Sequence, residues 1–308
     1  MTSTGSASVW TYDYTAPAGN GTDTFAFSVG TDASGNTITA APTSGATITV
    51  DNTAPTGAIT YSAASPYKQG ATATVTATFT EALTTTPKIA ISGVSSVAAT
   101  NMTSTGSANI WTYAYTAPAG NGTDTFAFSV GTDASGNVVT AAPTSGATVT
   151  VDNTSPTISA VTQVVTPGND TTPSYVFATN AAVTMTTNIT EGFSTSASAA
   201  TGNNTVTFNT LGEGTYASKT VTVTDASGNA SSLTLTTFVV DTTSPTAAIT
   251  YDAAAPFKNG DAAVTITATF NGPVLDSPVP TIAIAGSGIA NVTSTNMTKV
   301  STTVYTYS

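Results

Sequence analysis

The sequence repeats itself at long range: residues 1–53 match 102–154 almost letter for letter, an offset of 101 residues from Met1 to Met102. Trp10 falls on Trp111, Asp23 on Asp124, Thr31–Asn36 (TDASGN) on Thr132–Asn137, and Asp51-Asn52-Thr53 on Asp152-Asn153-Thr154. Solenoid repeats run at about 20–50 residues, so a period near 100 is a whole domain in tandem. The other half of that domain recurs at the far end. Ser244–Gly260 (SPTAAITYDAAAPFKNG) answers Ala54–Gly70 (APTGAITYSAASPYKQG), and Pro280–Gly286 answers Pro87–Gly93. Between Asp152 and Asp241 lies a shorter unit of a second type that keeps the same punctuation, TDASGN at Thr224–Asn229 and a closing VDTTSPT. The chain therefore reads as residues 1–53, the C-terminal half of a type-A domain; 54–154, a complete type-A domain; 155–243, a type-B domain; and 244–308, the N-terminal half of a type-A domain. Two explanations suit the halves. Either the sequence is a window on a longer chain, favoured because Met1 aligns with an internal methionine, or separate chains complete each other head to tail.

Within the units, apolar residues alternate with threonine. Ala71–Phe79 (ATATVTATF) puts Ala71, Ala73, Val75, Ala77 and Phe79 on one face, and Ile110–Tyr115 and Asp124–Val130 share the period of two, which marks half-buried strands. Pro- and Gly-rich clusters such as APAGNG and SPYKQG separate these strands at short intervals, the pattern of an antiparallel sandwich. With 72 Thr and 32 Ser in 308 residues and no long run of Leu, Glu, Lys and Gln, the expected class is all-β. Trp111 or Trp10, with Phe79, Phe126 and Phe128, is expected to fill the type-A core.

Composition removes much chemistry. The chain has no His, no Cys and no Arg, five Lys and 16 carboxylates, for a net charge of −11. Ser/His/Asp and Cys/His nucleophiles, His- or thiolate-bound zinc and disulfides are excluded. A pI near 4.1 without Arg argues against nucleic acid or an anionic membrane as a partner. No apolar run approaches the roughly 20 residues of a membrane helix, and Met1 is followed by Thr-Ser-Thr-Gly rather than a charged and then apolar leader. Carboxylates recur once per domain at turns with no distinct cleft indicated, so catalysis of the glycosidase kind is not expected and the chain reads as a non-enzyme.

A D-x-x-G-N turn followed by V-D-x-T-x-P-T, in units of about 90–100 residues, resembles the bacterial immunoglobulin-like (Big-type) tandem repeats of giant extracellular adhesins and surface fibres. Here the motifs are TDASGN three times and VDNTAPT, VDNTSPT and VDTTSPT at Val50, Val151 and Val240. The resemblance covers essentially the whole chain. It implies immunoglobulin-like antiparallel β-sandwich domains in a linear string, an extracellular or bacterial cell-surface location, a stalk or filament serving adhesion or matrix formation, and calcium at domain junctions. Adhesins of this kind usually carry a distinct ligand-binding tip, which is not found in this sequence. A rival function is a binding module whose exposed Thr faces take carbohydrate, such as surface glycans, or ice; twisted sheets do not readily give the flat Thr array that ice requires.

The junctions hold the candidate metal ligands. Asp51 and Asn52 are grouped with Asp32 and Asn36 of the preceding turn, Asp152 and Asn153 with Asp133 and Asn137, and Asp241 with Asp225 and Asn229, to which Asp170 adds at one end of the type-B unit. Calcium takes six to eight oxygens, which such a set begins to supply. The alternative is that Asp and Asn in D-A-S-G-N bond their own backbone in Asx turns, without any metal. Lys68 and Lys258 share one slot and read as solvated lysines beside a turn rather than partners in an isopeptide bond. Ten N-x-S/T sequons occur, including Asn20, Asn101, Asn121 and Asn153; 19 Asn among so much Ser and Thr would give about six or seven by chance, so they are weak evidence for glycans.

Overall fold

The computed structural model describes residues 1–195, 197–258, 260–286 and 292–308; Asn259, in one of the matched runs, lies outside them. All regular structure among these residues is β-strand, and nearly all pairing is antiparallel. The chain forms two compact units, the first comprising Met1–Gln163, Ser174–Thr207 and Ser218–Leu235, the second Val164–Pro173, Phe208–Ala217 and Thr236–Ser308.

In the first unit, residues 54–154 make a complete sandwich. One sheet runs in the order Gly57–Tyr61, Thr72–Phe79, Ile110–Thr116, Thr103–Ser104; the other runs Thr148–Val151, Gly122–Ser129, Lys88–Ser92, Val97–Asn101. The alternation read from the sequence sets the pleat. Ala73, Val75, Ala77 and Phe79 are buried while Thr72, Thr74 and Thr78 face solvent. The two inner faces meet in a core of Val75, Phe79, Ile89, Trp111, Tyr115, Phe126, Phe128 and Val149. Burying a Phe or Leu-sized side chain contributes about 1.5–3 kcal/mol, so these rings dominate the domain's stability. Gly57 is a packing glycine, since a Cβ there would lie 2.7 Å from the Phe128 ring and 2.8 Å from Phe79. Trp10 does not share the fate of Trp111: it is exposed, because residues 1–53 carry only the pairs Thr2–Ser3/Trp10–Thr11 and Gly21–Thr24/Thr47–Val50 and no opposing sheet.

A buried carboxylate sits among these strands. Asp124 is fully buried and accepts from Ser95 N (2.5 Å), Ser95 Oγ (2.5 Å) and Tyr115 Oη (2.8 Å). Burial first, and then the bond to this carboxylate, pushes the Tyr115 phenol far up. The arrangement recurs in residues 1–53 as Tyr14 Oη donating to Asp23 at 2.5 Å.

The same unit also holds two sheets of the type-B sequence, Ile158–Thr162/Ser174–Thr179/Gly202–Thr207 and Ser198–Ala199/Val183–Thr187/Thr220–Thr224/Ala230–Thr234, with Tyr175, Phe177, Val206, Val221 and Val223 buried. The second unit contains the pair Gly214–Tyr216/Phe238–Val240, on which Phe208, Phe238 and Tyr216 stack. It also contains a four-stranded sheet, Ala247–Tyr251, Ile266–Phe270, Val304–Tyr307, Thr298–Lys299, and the pair Thr281–Ile284/Val292–Asn296, around Ala268, Met297 and Tyr305. Residues 155–243, one domain by sequence punctuation, are thus divided between the two compact units.

Candidate metal centre at the domain linker

Each TDASGN segment closes on its own aspartate. Asp133 Oδ1 accepts Ser135 N (2.8 Å) and Asn137 N (2.9 Å), Oδ2 accepts Asn137 Nδ2 (2.9 Å), and Gly136 takes the left-handed φ of +91° that the turn requires. Asp32 and Asp225 repeat the pattern with Asn36 and Asn229. Burial works against the Asp133 charge, but the bonds from Asn137, Ser135 and Gly136 outweigh it and hold the carboxyl below its ordinary value. Asp32 lies low for the same bonds, led by the Asn36 side chain. The Asx reading of this motif is therefore the geometry found.

The turn then reaches outward to a linker, and to a different one from that expected. Asn137 Nδ2 donates to Asp51 O (3.1 Å) and Ser135 Oγ to Asp51 Oδ2 (3.5 Å); one domain later, Asn229 Nδ2 donates to Asp152 O (2.9 Å) and Ser227 Oγ to Asp152 Oδ2 (3.3 Å). Asp51 and Asp152 are each met by the turn of the domain that follows. The grouping of Asp51 with Asp32 and Asn36, of Asp152 with Asp133 and Asn137, and of Asp225 and Asn229 with Asp241 is corrected accordingly. The reason is strand direction. Gly122–Ser129 runs antiparallel to Thr148–Val151, with Gly122 opposite Val151, so residues beyond Ser129 emerge at the end where the chain entered; Thr140 N there bonds Pro55 O.

Asn52 and Asn153 face the other way. Asn52 Nδ2 donates to Gly19 O (2.6 Å) and Pro17 O (3.3 Å), and its N–H bonds Asn20 Oδ1 (2.6 Å). Asn153 repeats this with Gly120, Pro118 and Asn121, while its Oδ1 accepts Gln69 N. Their amide N–H groups fasten the linker to the preceding domain. Asp241 and Asp170 are engaged locally, accepting Thr243 N (3.0 Å) and Thr172 N (2.8 Å). The third linker is tied instead through Glu213, which accepts from Thr242 and Thr243 hydroxyls at 2.8–2.9 Å and is held below its usual range by them.

At the first linker a residue that the repeat comparison passed over completes a cluster. Asp51, Glu81 and Asp133 each place one carboxylate oxygen so that all three lie within 4.8 Å of one another; Asp133 is buried and the other two half-buried. Desolvation raises the Glu81 carboxyl, and the Asp51 and Asp133 charges raise it further. Hard oxygen donors at this spacing fit a cation such as calcium. Glu81 escaped notice because it does not recur: Asn180 takes the place of Thr80 in bonding the incoming linker, and Ala181 follows it where Glu81 follows Thr80. The second linker thus has two acidic residues, Asp152 and Asp225. It also receives a cation from the chain, Lys68 Nζ donating to Gly228 O at 3.0 Å in the turn.

No family model and no curated protein matches the chain. Among solved structures, the tetra-tandem repeat in the extending region of a large adhesion protein aligns over 91% of this chain and 71% of its own, with 19% identity and a TM-score of 0.26.

Proposed function

We propose that this chain is a segment of a structural extracellular repeat protein, its sandwiches joined in series through locked linkers to make a stalk or filament at a bacterial cell surface. The observation that supports the reading is the linker built twice to one plan. An asparagine ties it back to the preceding domain, and an aspartate is held by the Ser and Asn of the following domain's turn. Few independent contacts normally cross between domains, and relative motion is the default unless something fixes it; a clamp from both sides at consecutive linkers is what a stiff serial element needs. The absence of His, Cys and Arg from the sequence agrees with a structural role.

Calcium enters this proposal at the first linker, with Asp51, Glu81 and Asp133 as its protein ligands. The ion would neutralise three converging carboxylates and bind the linker to the following domain. At the second linker the Lys68 ammonium supplies positive charge from within the chain. Small-angle scattering of the full chain, with and without chelator, tests the reading. The maximum dimension should be sharply defined with calcium and broaden on chelation, and Glu81→Gln should behave as the chelated protein does. A distribution that chelator leaves unchanged removes calcium from the account; a broad, flexible distribution under all conditions removes the stalk.

A further inference from the structure

The turn between Lys88–Ser92 and Val97–Asn101 lies across the stretch of chain that holds the second linker, and it meets that stretch residue by residue. Gly93 takes a φ of +131°, and a Cβ there would lie 2.0 Å from Thr123 O, so the two backbones are in contact. Val94 is half-buried and covers two glycines: a Cβ at Gly122 would lie 2.9 Å from its Cγ2, and one at Gly120 would lie 3.3 Å from its Cγ1. Ser95 is buried and donates through N and Oγ to Asp124, both at 2.5 Å.

Asn121, between those glycines, is turned toward the linker. Its Oδ1 accepts Asn153 N (2.5 Å) and its Nδ2 donates to Thr154 Oγ1 (3.0 Å), while Gly120 O and Pro118 O take the Asn153 amide. Asn153 Oδ1 in turn accepts Gln69 N from the loop in which Tyr67 seats the last strand, Tyr67 N donating to Thr150 O and Asp152 N to Tyr67 O, both at 2.9 Å. With glycine on either side of Asn121, the local backbone does little to fix its own shape. The contacts with Val94 and with Asn153 must do so. The type-B sequence meets its linker differently. Gly214 pairs with Val240 as Gly122 pairs with Val151, which puts Glu213 in the place of Asn121 and Tyr216 in that of Asp124. The buried carboxylate is replaced there, and the holding residue is itself a carboxylate that accepts from the Thr242 and Thr243 hydroxyls.

We propose that residues 93–96 are a strap that positions the lock on the second linker. Val94 presses residues 120–122 into the shape that Asn153 requires, and Ser95, bonded to the buried Asp124, fastens the strap to the core. Val94 and Ser95 are positioning residues that act on the linker through Asn121. Hydrogen bonds to an ionised acceptor are roughly twice as strong as neutral ones, and these are shielded from water. The lock therefore opens together with the strap, as one cooperative unit smaller than the whole domain. Linker stiffness then follows the integrity of the domain that precedes it. The inference rests on the linkers being locked, as proposed above, and adds what keeps the second one so.

Native-state hydrogen exchange of the full chain tests this. In the wild type, the Ser95 and Asn153 amides should show matching protection, lower than that of Val75 in the central strand. Val94→Ala removes the cover over both glycines, and losing two half-buried methyl groups should speed exchange at Asn153 about tenfold. Asn137, at the first linker, should keep its wild-type rate, and Val94→Ile should stay near wild type throughout. In an Asn121→Ala background, where the lock is already lost, Val94→Ala should add nothing at Asn153. An Asn153 amide that exchanges faster than Ser95 and is indifferent to Val94→Ala would overturn the proposal. So would equal protection of Asn153 and Val75, since the lock would then open only with the whole domain. The scattering profile separates this from the stalk: a flexible profile with Ser95 and Asn153 still matched discards the stalk and keeps the strap, and a stiff profile with the two unmatched does the reverse.

Discussion

Tyr115→Phe isolates the worth of one hydrogen bond to a buried charge. The substitution keeps the ring in contact with Tyr67 and Phe126 and removes only the 2.8 Å bond to Asp124, leaving that carboxylate with its two Ser95 donors and no cation. Hydrogen bonds to charged groups contribute about 1.5–3 kcal/mol, and the remaining donors place the loss near the middle, about 2 kcal/mol. For a domain of about 100 residues each kcal/mol moves the melting temperature by about 4–8 °C, so the complete type-A domain should melt roughly 8–16 °C lower. The assay is selective because the sequence has two tryptophans and only Trp111 is buried, so thermal quenching or shift of its emission reports this domain alone. A double-mutant cycle with Ser95→Ala should show coupling, since both groups serve one carboxylate. A Tyr115→Phe protein within about 0.5 kcal/mol of wild type would show that Asp124 is adequately solvated without the phenol, and would refute the reasoning.

Three further outcomes are expected. Gly93→Ala should destabilise the same domain by about 3 kcal/mol or more, because φ is +131° and the added Cβ would lie 2.0 Å from Thr123 O; chemical denaturation followed at Trp111 measures it. Without divalent cations, the first linker should tighten as pH falls from neutral toward the raised Glu81 value, because protonation relieves repulsion that folding imposes. It should weaken at lower pH, as the depressed Asp133 carboxyl takes up its proton and its turn bonds are lost. Amide exchange at Ser135–Asn137 reads both limbs, and Glu81→Gln should abolish the first only. Lys68→Met should speed exchange at Gly228–Asn229 while leaving the first linker unchanged, since Lys68 donates to Gly228 O.

The strands were legible where burial alternates strictly with exposure. Thr72–Phe79 could be drawn from the sequence because the sheet covers one of its faces, and the TDASGN turns because Asp and Gly chemistry is local. The linker site was legible only in part. Asp51 and Asp133 were both singled out, yet they were assigned to different linkers, because contact across 82 residues (133 − 51) depends on which end of the sandwich a strand leaves from. Residue order carries no such information. Glu81 was missed for the opposite reason: comparison of repeats finds what recurs, and this side chain occurs once. The role of Asn52 and Asn153 in fastening the linker was not legible, because the carbonyls of the preceding loop that take their N–H groups lie more than 30 residues away.

The bond pair that seats the last strand has a mechanical meaning. In the complete type-A domain Tyr67 and Val151 form a parallel bridge, and in the type-B sequence Gly168 and Val240 form another, each flanked by two backbone hydrogen bonds, Tyr67 N to Thr150 O with Asp152 N to Tyr67 O, and Gly168 N to Val239 O with Asp241 N to Gly168 O. Tension entering at one linker and leaving at the next pulls these parallel segments in opposite directions along their length. The flanking bonds then lie across the pull and share it, instead of opening one after another as the rungs of a hairpin do when its ends are drawn apart. Because forced opening is governed by the unfolding rate rather than by equilibrium stability, a domain held this way can resist tension better than its melting temperature alone would suggest.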